Sequence, residues 1–538
     1  MFVNLFADKS FLVIDDFADM RNMLKSIIRT LGATDIDSAS NGKGAIEAIE
    51  NKKYDIILCD YNLGPGQDGQ QVLEEARYRR LISMSTIFVM VTAENTRLMV
   101  MGAIEFEPDA YLSKPFSKDL IKARLEKVMA RKADLREVFD AVDRERLEQA
   151  ITLLDQKIAQ KPKGVGELMR VKADLCLQAG KYDCSSEIYE RILVMRDVPW
   201  AKLGLGKVLY GSKKYGESSE IFRELMDSNP DLTVAMDWLA RSYQMLGDVD
   251  DAKAAIQSAI DLSPKAILRQ QMLGDLNMQT GDLEAAEKAY NETVKLGRNS
   301  VHNHPSMFAK LARSQTGLGK NDAAMKSVQQ ISKVFEKDKD AEFYTSSSEA
   351  LVYHNQGDAE KSKAAMDRAS KLYERSGSHD NNDVTLELAR IASQVGDTEK
   401  AKALLTAAIQ NNHDDEEFLQ SITATLDEAG LADNPVDFVA DLKKEVVEMN
   451  NRGVKLLQKG ELSMAVDVFR EAGERMPSNR IINVNAARAM LMMMEKNGAK
   501  TEALGQIRKY LERLKKIDPN DSTLKSLLSR LQKVVTSS

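Results

Sequence analysis

The sequence is poor in the features that mark a secreted scaffold, a membrane protein or a nucleic-acid binder. Its three cysteines, Cys59, Cys176 and Cys184, are an odd number scattered over 538 residues. That excludes a disulfide framework and reads as a reducing compartment with buried thiols, although Cys176 and Cys184 are placed to face each other across a helical hairpin. No apolar run approaches the roughly 20 residues of a membrane span. The first ten residues hold Asp8 and lack the basic start and apolar core of a leader. The formal net charge of −7 implies nothing like the basic stripe of a nucleic-acid binder, although an average leaves room for a local basic patch. Aromatic residues are only 6 % of the chain, while Ala, Leu, Lys and Glu abound, so helices are favoured. A cytoplasmic protein of two or more domains is expected.

The first part of the chain alternates apolar runs with helical periodicity. Phe11 to Ile14 is followed by Asp15 and Asp16, and Ile56 to Cys59 by Asp60. Thr86 to Val91 is followed by Thr92 and Ala93, and Asp109 to Ser113 by Lys114 and Pro115. Uniformly apolar strands fit a parallel sheet covered on both faces. Between them, Met20, Met23, Leu24, Ile27 and Ile28 fall on one helical face that Gly32 ends, and 43–51, 70–82 and 118–131 read as further helices. The pattern predicts a doubly wound α/β domain with a parallel five-stranded sheet. Such sheets place their sites beyond the carboxyl ends of the strands. Asp15, Asp16 and Asp60 would meet there, and three carboxylates repel one another unless a cation is present; all-oxygen ligation suits Mg2+. With a hydroxyl and an ammonium added, the set is one that binds a phosphoryl group by charge neutralisation and positioning.

Residues 9 to about 131 resemble the receiver domain of two-component response regulators, of the chemotaxis-regulator-like, flavodoxin-like type, on Asp15, Asp16, Asp60, Thr92, Tyr111, Lys114 and Pro115. The resemblance implies that Asp60 accepts phosphate from a histidine kinase. It implies that Asp15, Asp16, Asp60 and the backbone carbonyl of Asn62 hold Mg2+, that Thr92, Ala93 and Lys114 bind the phosphoryl oxygens, and that Tyr111 turns inward as Thr92 moves. Asn62 and Glu94 occupy the places that tune dephosphorylation, and their identities imply a phosphorylated lifetime nearer minutes than hours. The receiver would catalyse its own phosphotransfer and dephosphorylation, with no separate catalytic domain. Lys114–Pro115 is expected to be cis. The sequence departs from the usual receiver in the loop Asp60 to Gly69, where Gly64-Pro65-Gly66 enlarges the surroundings of the site.

Past residue 134 the strand-like runs stop and a unit recurs. Its turns are at Gly180, Lys213, Gly247, Gly281, Gly319, Gly357, Gly396 and Gly460. Five residues on stands a small side chain (Ser185, Ser218, Ala252, Ala286, Ala324, Ser362, Ala401, Ala465), and nine on an apolar one (Tyr189, Phe222, Ile256, Tyr290, Val328, Met366, Leu405, Phe469). Seven before each turn the residue is again small: Ala173, Gly206, Ala240, Gly274, Ala312, Ala350, Ala389 and Gly453. Two antiparallel helices need small residues where they cross, and the larger side chains fill the space between pairs. The unit resembles the tetratricopeptide repeat, best in Met236 to Tyr243 with Pro264 closing the second helix, and its signature residues are Ala240, Tyr243, Gly247, Ala252, Gly274, Gly281 and Ala286. That resemblance implies an all-α superhelical solenoid whose groove binds a partner protein.

The expected division is a receiver at 1–131, a helical junction and half-repeat at 132–165, a repeat array at 166–521 with a degenerate repeat at about 415–447, and a capping helix at 522–538. His302 and His304 read as a polar loop rather than a metal site. The basic residues from Arg508 to Lys525 read as a solvated face, and Met490 to Met494 as core filler. The function these features imply is a phosphorylation-controlled response regulator of a bacterial two-component system, with another signalling protein among the candidate partners. The alternative is a phosphate sink that drains a shared kinase, its repeats a constitutive docking scaffold. Neither reading involves a membrane, and no helix-turn-helix pattern follows the receiver to suggest DNA.

Overall fold

The structure, a computed structural model, describes residues 6–93, 108–160, 164–376, 381–498, 501–519 and 521–537. Strands β1 (Ser10–Ile14), β2 (Asp35–Ala39), β3 (Ile56–Asp60), β4 (Ile87–Thr92) and β5 (Ala110–Ser113) form one parallel sheet in the order β2-β1-β3-β4-β5. Among the described residues, four helices flank it: α1 (Ala18–Thr30), α2 (Gly42–Asn51), α3 (Gly69–Tyr78) and α4 (Lys118–Ala133). The period of two along each strand builds two separate cores. Phe11, Val13, Ile56, Leu58, Val89 and Val91 pack against Leu24, Ile28, Ile121 and Leu125 of α1 and α4. Leu12, Ile14, Ile57, Cys59, Phe88 and Met90 pack against Ala45, Ile49, Val72 and Leu73 of α2 and α3.

Two helices end earlier than the periodicity predicts, for the same local reason. The apolar pattern carries α3 on to residue 82, but the helix stops at Tyr78, where Arg80 turns left-handed (φ 53°) and the Leu81 N–H donates to the Ala76 carbonyl at 2.8 Å. Residues 135–160 read as a single helical segment, yet Glu145 (φ 58°) splits them into α5 (Arg136–Asp143) and α6 (Leu147–Ala159), with Arg146 N–H donating to Ala141 O at 2.9 Å. Both are C-terminal caps closed by a bond from the residue after the left-handed one. Such a cap leaves the hydrophobic period undisturbed, so the period alone does not reveal it.

The helical part contains four antiparallel pairs between residues 165 and 297. These are α7 (Val165–Gln178) with α8 (Tyr182–Met195), α9 (Pro199–Gly211) with α10 (Tyr215–Ser228), α11 (Thr233–Leu246) with α12 (Val249–Leu262), and α13 (Ile267–Gln279) with α14 (Leu283–Gly297). Residues 1–307 form one compact unit and 308–538 a second. The second unit continues the helix–turn–helix order to its last helix, Ser522–Ser537, and includes a single long helix, Pro435–Gln458. All eight turn residues adopt positive φ, including Lys213 at 63°, and so does Gly430 at 58°. Among the described residues, no helix is long and apolar enough to cross a membrane.

The small residues work in two ways. Where the residue five after the turn is serine, its hydroxyl donates to the carbonyl of the small residue on the facing helix: Ser185 to Ala173 at 2.8 Å, Ser218 to Gly206 at 2.9 Å and Ser362 to Ala350 at 2.8 Å. Glycine at the earlier position accommodates an aromatic ring nine after the turn, since a Cβ on Gly206, Gly274 or Gly453 would fall within 2.6 Å of Phe222, Tyr290 or Phe469 respectively. The signature residues Ala240, Ala252 and Ala286 are fully buried, and the Tyr243 hydroxyl accepts from Arg223 Nη2 at 2.6 Å. Met490 and Met494 are core residues. The Cys176 and Cys184 thiols do not stay separate as expected: they face each other across the α7–α8 turn, Cα atoms 6.1 Å apart, and are joined as a disulfide.

Candidate functional site

The strand register brings the chemistry together. Ile14 pairs with Cys59, Asp60 with Val91, and Thr92 with Ser113. Asp15, Asp60, Thr92 and Lys114 therefore form one row across the carboxyl edge of β1, β3, β4 and β5, where the strand order reverses between β1 and β3. Lys114 Nζ bridges two of the acids, donating to Asp15 Oδ2 at 3.0 Å and to Asp60 Oδ2 at 2.9 Å. Asp15 is buried completely and Asp60 is 6 % exposed. The turn after β1 is held by Arg21, whose Nη1 donates to the Asp15 carbonyl at 2.6 Å and the Asp16 carbonyl at 3.0 Å, and by the Phe17 N–H donating to Asp15 Oδ1 at 2.9 Å.

Burial pushes the Asp60 carboxyl above the ordinary aspartate range, against the opposing pull of Lys114. Burial would lower the Lys114 ammonium, but its hydrogen bonds to Asp60 and Asp15 outweigh that and hold it above the ordinary lysine range. The balance is poised for a change of charge: an ammonium already shared by two carboxylates can follow charge added to either.

The donor set fits a small hard cation. One oxygen from each of Asp15, Asp16 and Asp60 lies within 4.8 Å of the others, and Asp16 Oδ1 is buried without a hydrogen-bond partner. An orphaned carboxylate oxygen beside two more acids is what such a cation would satisfy.

The remaining expected residues are distributed around this row. Thr92 is half-buried, and its carbonyl accepts from the Lys114 N–H at 2.7 Å; Ala93 is exposed. Asn62 is exposed, its Oδ1 accepting from the Gly64 N–H at 3.2 Å. Tyr111 lies opposite Met90 and packs half-buried against the core shared with α2 and α3. Lys114–Pro115 is cis. Glu94 lies outside the described residues. His302 and His304 bond different partners: His304 Nδ1 bonds Ser306 Oγ at 2.8 Å, and His302 Nε2 bonds Glu74 Oε1 at 3.0 Å. Arg513 leaves the expected solvated basic face to donate to Gly473 O at 2.7 Å.

Sequence reasoning missed Arg21 and the anchoring of α3. The Asp68-Gly69-Gln70-Gln71 sequence carried the signal for the second: it is a capping box, with Asp68 Oδ1 accepting from the Gln71 N–H at 2.9 Å and Gln71 Oε1 from the Asp68 N–H at 3.1 Å.

Residues 11–126 match the response regulator receiver domain family. A chemotaxis protein CheY of Pseudomonas aeruginosa is 31% identical over 120 residues, covering 22% of this chain and 95% of that protein. The chain belongs to the response regulators. The CheY-3 chemotaxis protein of Vibrio cholerae is 29% identical over 120 residues, covering 22% of this response regulator and 91% of that protein. Residues 239–301, from α11 to the loop after α14, match the tetratricopeptide repeat family. A solved tetratricopeptide repeat protein from Parabacteroides merdae aligns with 48% of the chain and 98% of its own at 14% identity and a TM-score of 0.37. The response regulator is thus a receiver followed by tetratricopeptide-type helices, an arrangement that suggests protein interaction as its output.

Proposed function

We propose that this response regulator is a phosphorylation-controlled protein-binding module of a bacterial two-component system. The observation that carries the reading is the Lys114 ammonium bridging Asp15 and Asp60 beside an unsatisfied Asp16 oxygen. An Asp60 carboxylate oxygen attacks the phosphorus of a phosphohistidine on a histidine kinase; the P–O bond forms as the P–N bond breaks, and the imidazole leaves. A Mg2+ ion held by Asp15, Asp16, Asp60 and the Asn62 carbonyl would offset the charge of the phosphoryl oxygens. Lys114, the Thr92 hydroxyl and the Ala93 N–H bind those oxygens, with Lys114 shifting from the carboxylates to the new charge. Thr92 draws inward, Tyr111 repacks, and Asn62 with Glu94 sets a lifetime of minutes. The functional division is a receiver at 1–131, a junction at 132–165, an array at 166–521 and a capping helix at 522–538.

The junction supports transmission because it is not a flexible linker. Lys132, at the end of α4, donates to the carbonyls of Met84 at 2.9 Å and Thr86 at 2.5 Å and to Asp109 Oδ2 at 2.9 Å. A change in the segments that lead into β4 and β5 would therefore act on the end of α4, which runs directly on to α5.

The test is retention of proteins from native cell extract on the immobilised chain, with and without beryllofluoride and Mg2+, beside Asp60→Ala. A partner whose retention changes with the mimic, and does not change in the variant, is the expected result. Equal retention in every arm would replace this reading with the phosphate sink, in which the array docks constitutively.

A further inference from the structure

The first helix pair of the array carries a covalent bond that the later pairs do without. Cys176, in the last turn of α7, and Cys184, in the first turn of α8, stand four residues either side of the turn at Gly180 and are joined as a disulfide. The same two places face each other in a later unit, where the Lys361 ammonium lies over the Tyr353 ring, 5.4 Å from its centre. In other units the corresponding residues are Leu209 with Glu217, or Tyr243 with Asp251, and those hairpins close by packing alone. The fold of the pair therefore does not require the bond, and α7 and α8 already hold each other through Ser185 Oγ, which donates to the Ala173 carbonyl at 2.8 Å.

The two sulfurs differ in their surroundings. Cys176 is fully buried, in a core it shares with Val138 and Phe139 of α5 and with Ile151 and Leu154 of α6. Cys184 is half-buried, at the seam between that core and the next one, which contains Tyr189 and Ala201. As the third residue of α8 it lies among the unbonded N–H groups of a helix start, where the helix dipole favours a sulfur carrying negative charge. Cys176 meets the opposite end of a dipole, in apolar surroundings that disfavour charge. Of the two reduced thiols, Cys184 is thus the nucleophile within reach of a small oxidant, and Cys176 is a second thiol held beside it, Cα atoms 6.1 Å apart. Cys59 is a buried free thiol in the receiver core and takes no part in the pair.

We propose that Cys176 and Cys184 are a reversible redox pair, closed by a peroxide and opened by a dithiol, which sets the rigidity of the array where the junction helices pack on it. The Cys184 thiolate attacks one oxygen of hydrogen peroxide; the S–O bond forms as the O–O bond breaks, and the departing hydroxide takes up a proton as water. The Cys176 sulfur then attacks the Cys184 sulfur; the S–S bond forms as the S–O bond breaks, and hydroxide leaves with the Cys176 proton as a second water. The two sulfurs give up two electrons, which reduce the peroxide. A dithiol returns two electrons and two protons by thiol–disulfide exchange and is itself oxidised to a disulfide. The bond lies at a seam already tied to α6, through Lys172 with Asp155 at 2.6 Å and through Lys181 with Glu148. Closing it adds a covalent link at the place where α5 and α6 meet the array.

Alkylation of the full chain with iodoacetamide in denaturant, read by peptide mass spectrometry, tests the pair. All three cysteines should be alkylated after dithiothreitol. After hydrogen peroxide, Cys59 alone should be alkylated, with Cys176 and Cys184 in one linked peptide, and dithiothreitol added to the folded, oxidised chain should restore all three. Free Cys176 and Cys184 after excess peroxide would overturn the pair. A link that dithiothreitol opens only in denaturant would overturn reversibility in favour of a permanent structural bond. The order of attack is read with dimedone, which labels sulfenic acids: Cys176→Ser should gain the label at Cys184 under peroxide, and a label at Cys176 of Cys184→Ser instead would overturn the assigned roles. Hydrogen–deuterium exchange on the parent chain, which needs no variant to fold, reads the consequence. Exchange at 165–195 should be at least twofold slower in the oxidised form than in the reduced form, and equal exchange would overturn the control of rigidity.

Discussion

At the scale of single residues, position in the backbone decides what each side chain can do. Gly69 is the clearest case, because the atom in its way is a main-chain oxygen that cannot rotate aside. Gly69→Ala should therefore destabilise the receiver by about 1–3 kcal/mol, the range for overpacking, read as a lowered denaturant midpoint, and should lower labelling of Asp60 by a small-molecule phosphodonor. A midpoint equal to that of the parent would contradict the close approach. His413 offers a second test. It is buried, and Asn479 Nδ2, which can only donate, lies 2.9 Å from its Nδ1, so the ring accepts there and is neutral. Burial lowers its pKa below the ordinary value, with Lys443 adding to the effect and Asp414 opposing it. The folded chain then binds that proton less readily than the unfolded chain. The stabilisation is complete above the unfolded value of about 6.5 and is lost as pH falls below it. His413→Gln should flatten the fall in stability between about pH 6.5 and 5; an unchanged slope would show that other groups cause it.

At the scale of elements, the eightfold unit explains which substitutions each helix pair tolerates. Gly274 lies under the Tyr290 ring, and a Cβ there would sit 2.5 Å from a ring carbon. Gly274→Ala should cost about 1–3 kcal/mol, and Tyr290→Leu in the same chain should recover part of it. The coupling is measured by a double-mutant cycle in urea, and strict additivity would mean that the two do not meet. Most elements were legible in advance: uniform apolar runs gave four of the five strands, and the small-residue positions gave the helix pairs, whereas β2, with Asp35, Asp37 and Ser38 among its five residues, carries no apolar run. The turns at Arg80 and Glu145 were not, because a residue driven to positive φ by its cap has no signature in hydrophobic period. Most of the candidate site was legible too, since Asp15, Asp16, Asp60, Thr92 and Lys114 each follow the apolar run that carries them. Arg21 was not, because an arginine on an exposed helix face looks the same whether it binds solvent or two carbonyls.

At the scale of the whole molecule, two compact units and a repeat architecture argue against a single cooperative transition. Urea unfolding followed by circular dichroism should resolve more than one step. Beryllofluoride with Mg2+ should raise only the step containing the receiver, by about 2.7 kcal/mol at a ligand concentration a hundredfold above its dissociation constant. One transition that shifts as a whole would show instead that the units unfold together.

The sequence by itself determined the period of each element, the order of strands and helices, and the chemistry at each strand end. These are local properties, set by which side chains lie two, three or four residues apart. Only the tertiary structure decided which distant polar groups outside that row meet: Arg313 with Glu387 in a buried pair at 3.1 Å, and His302 with Glu74. The members of such pairs are separated by tens to hundreds of residues, and each alone reads as an ordinary surface charge. Their meeting depends on the angles at which rigid elements pack, to which no single stretch of sequence is sensitive.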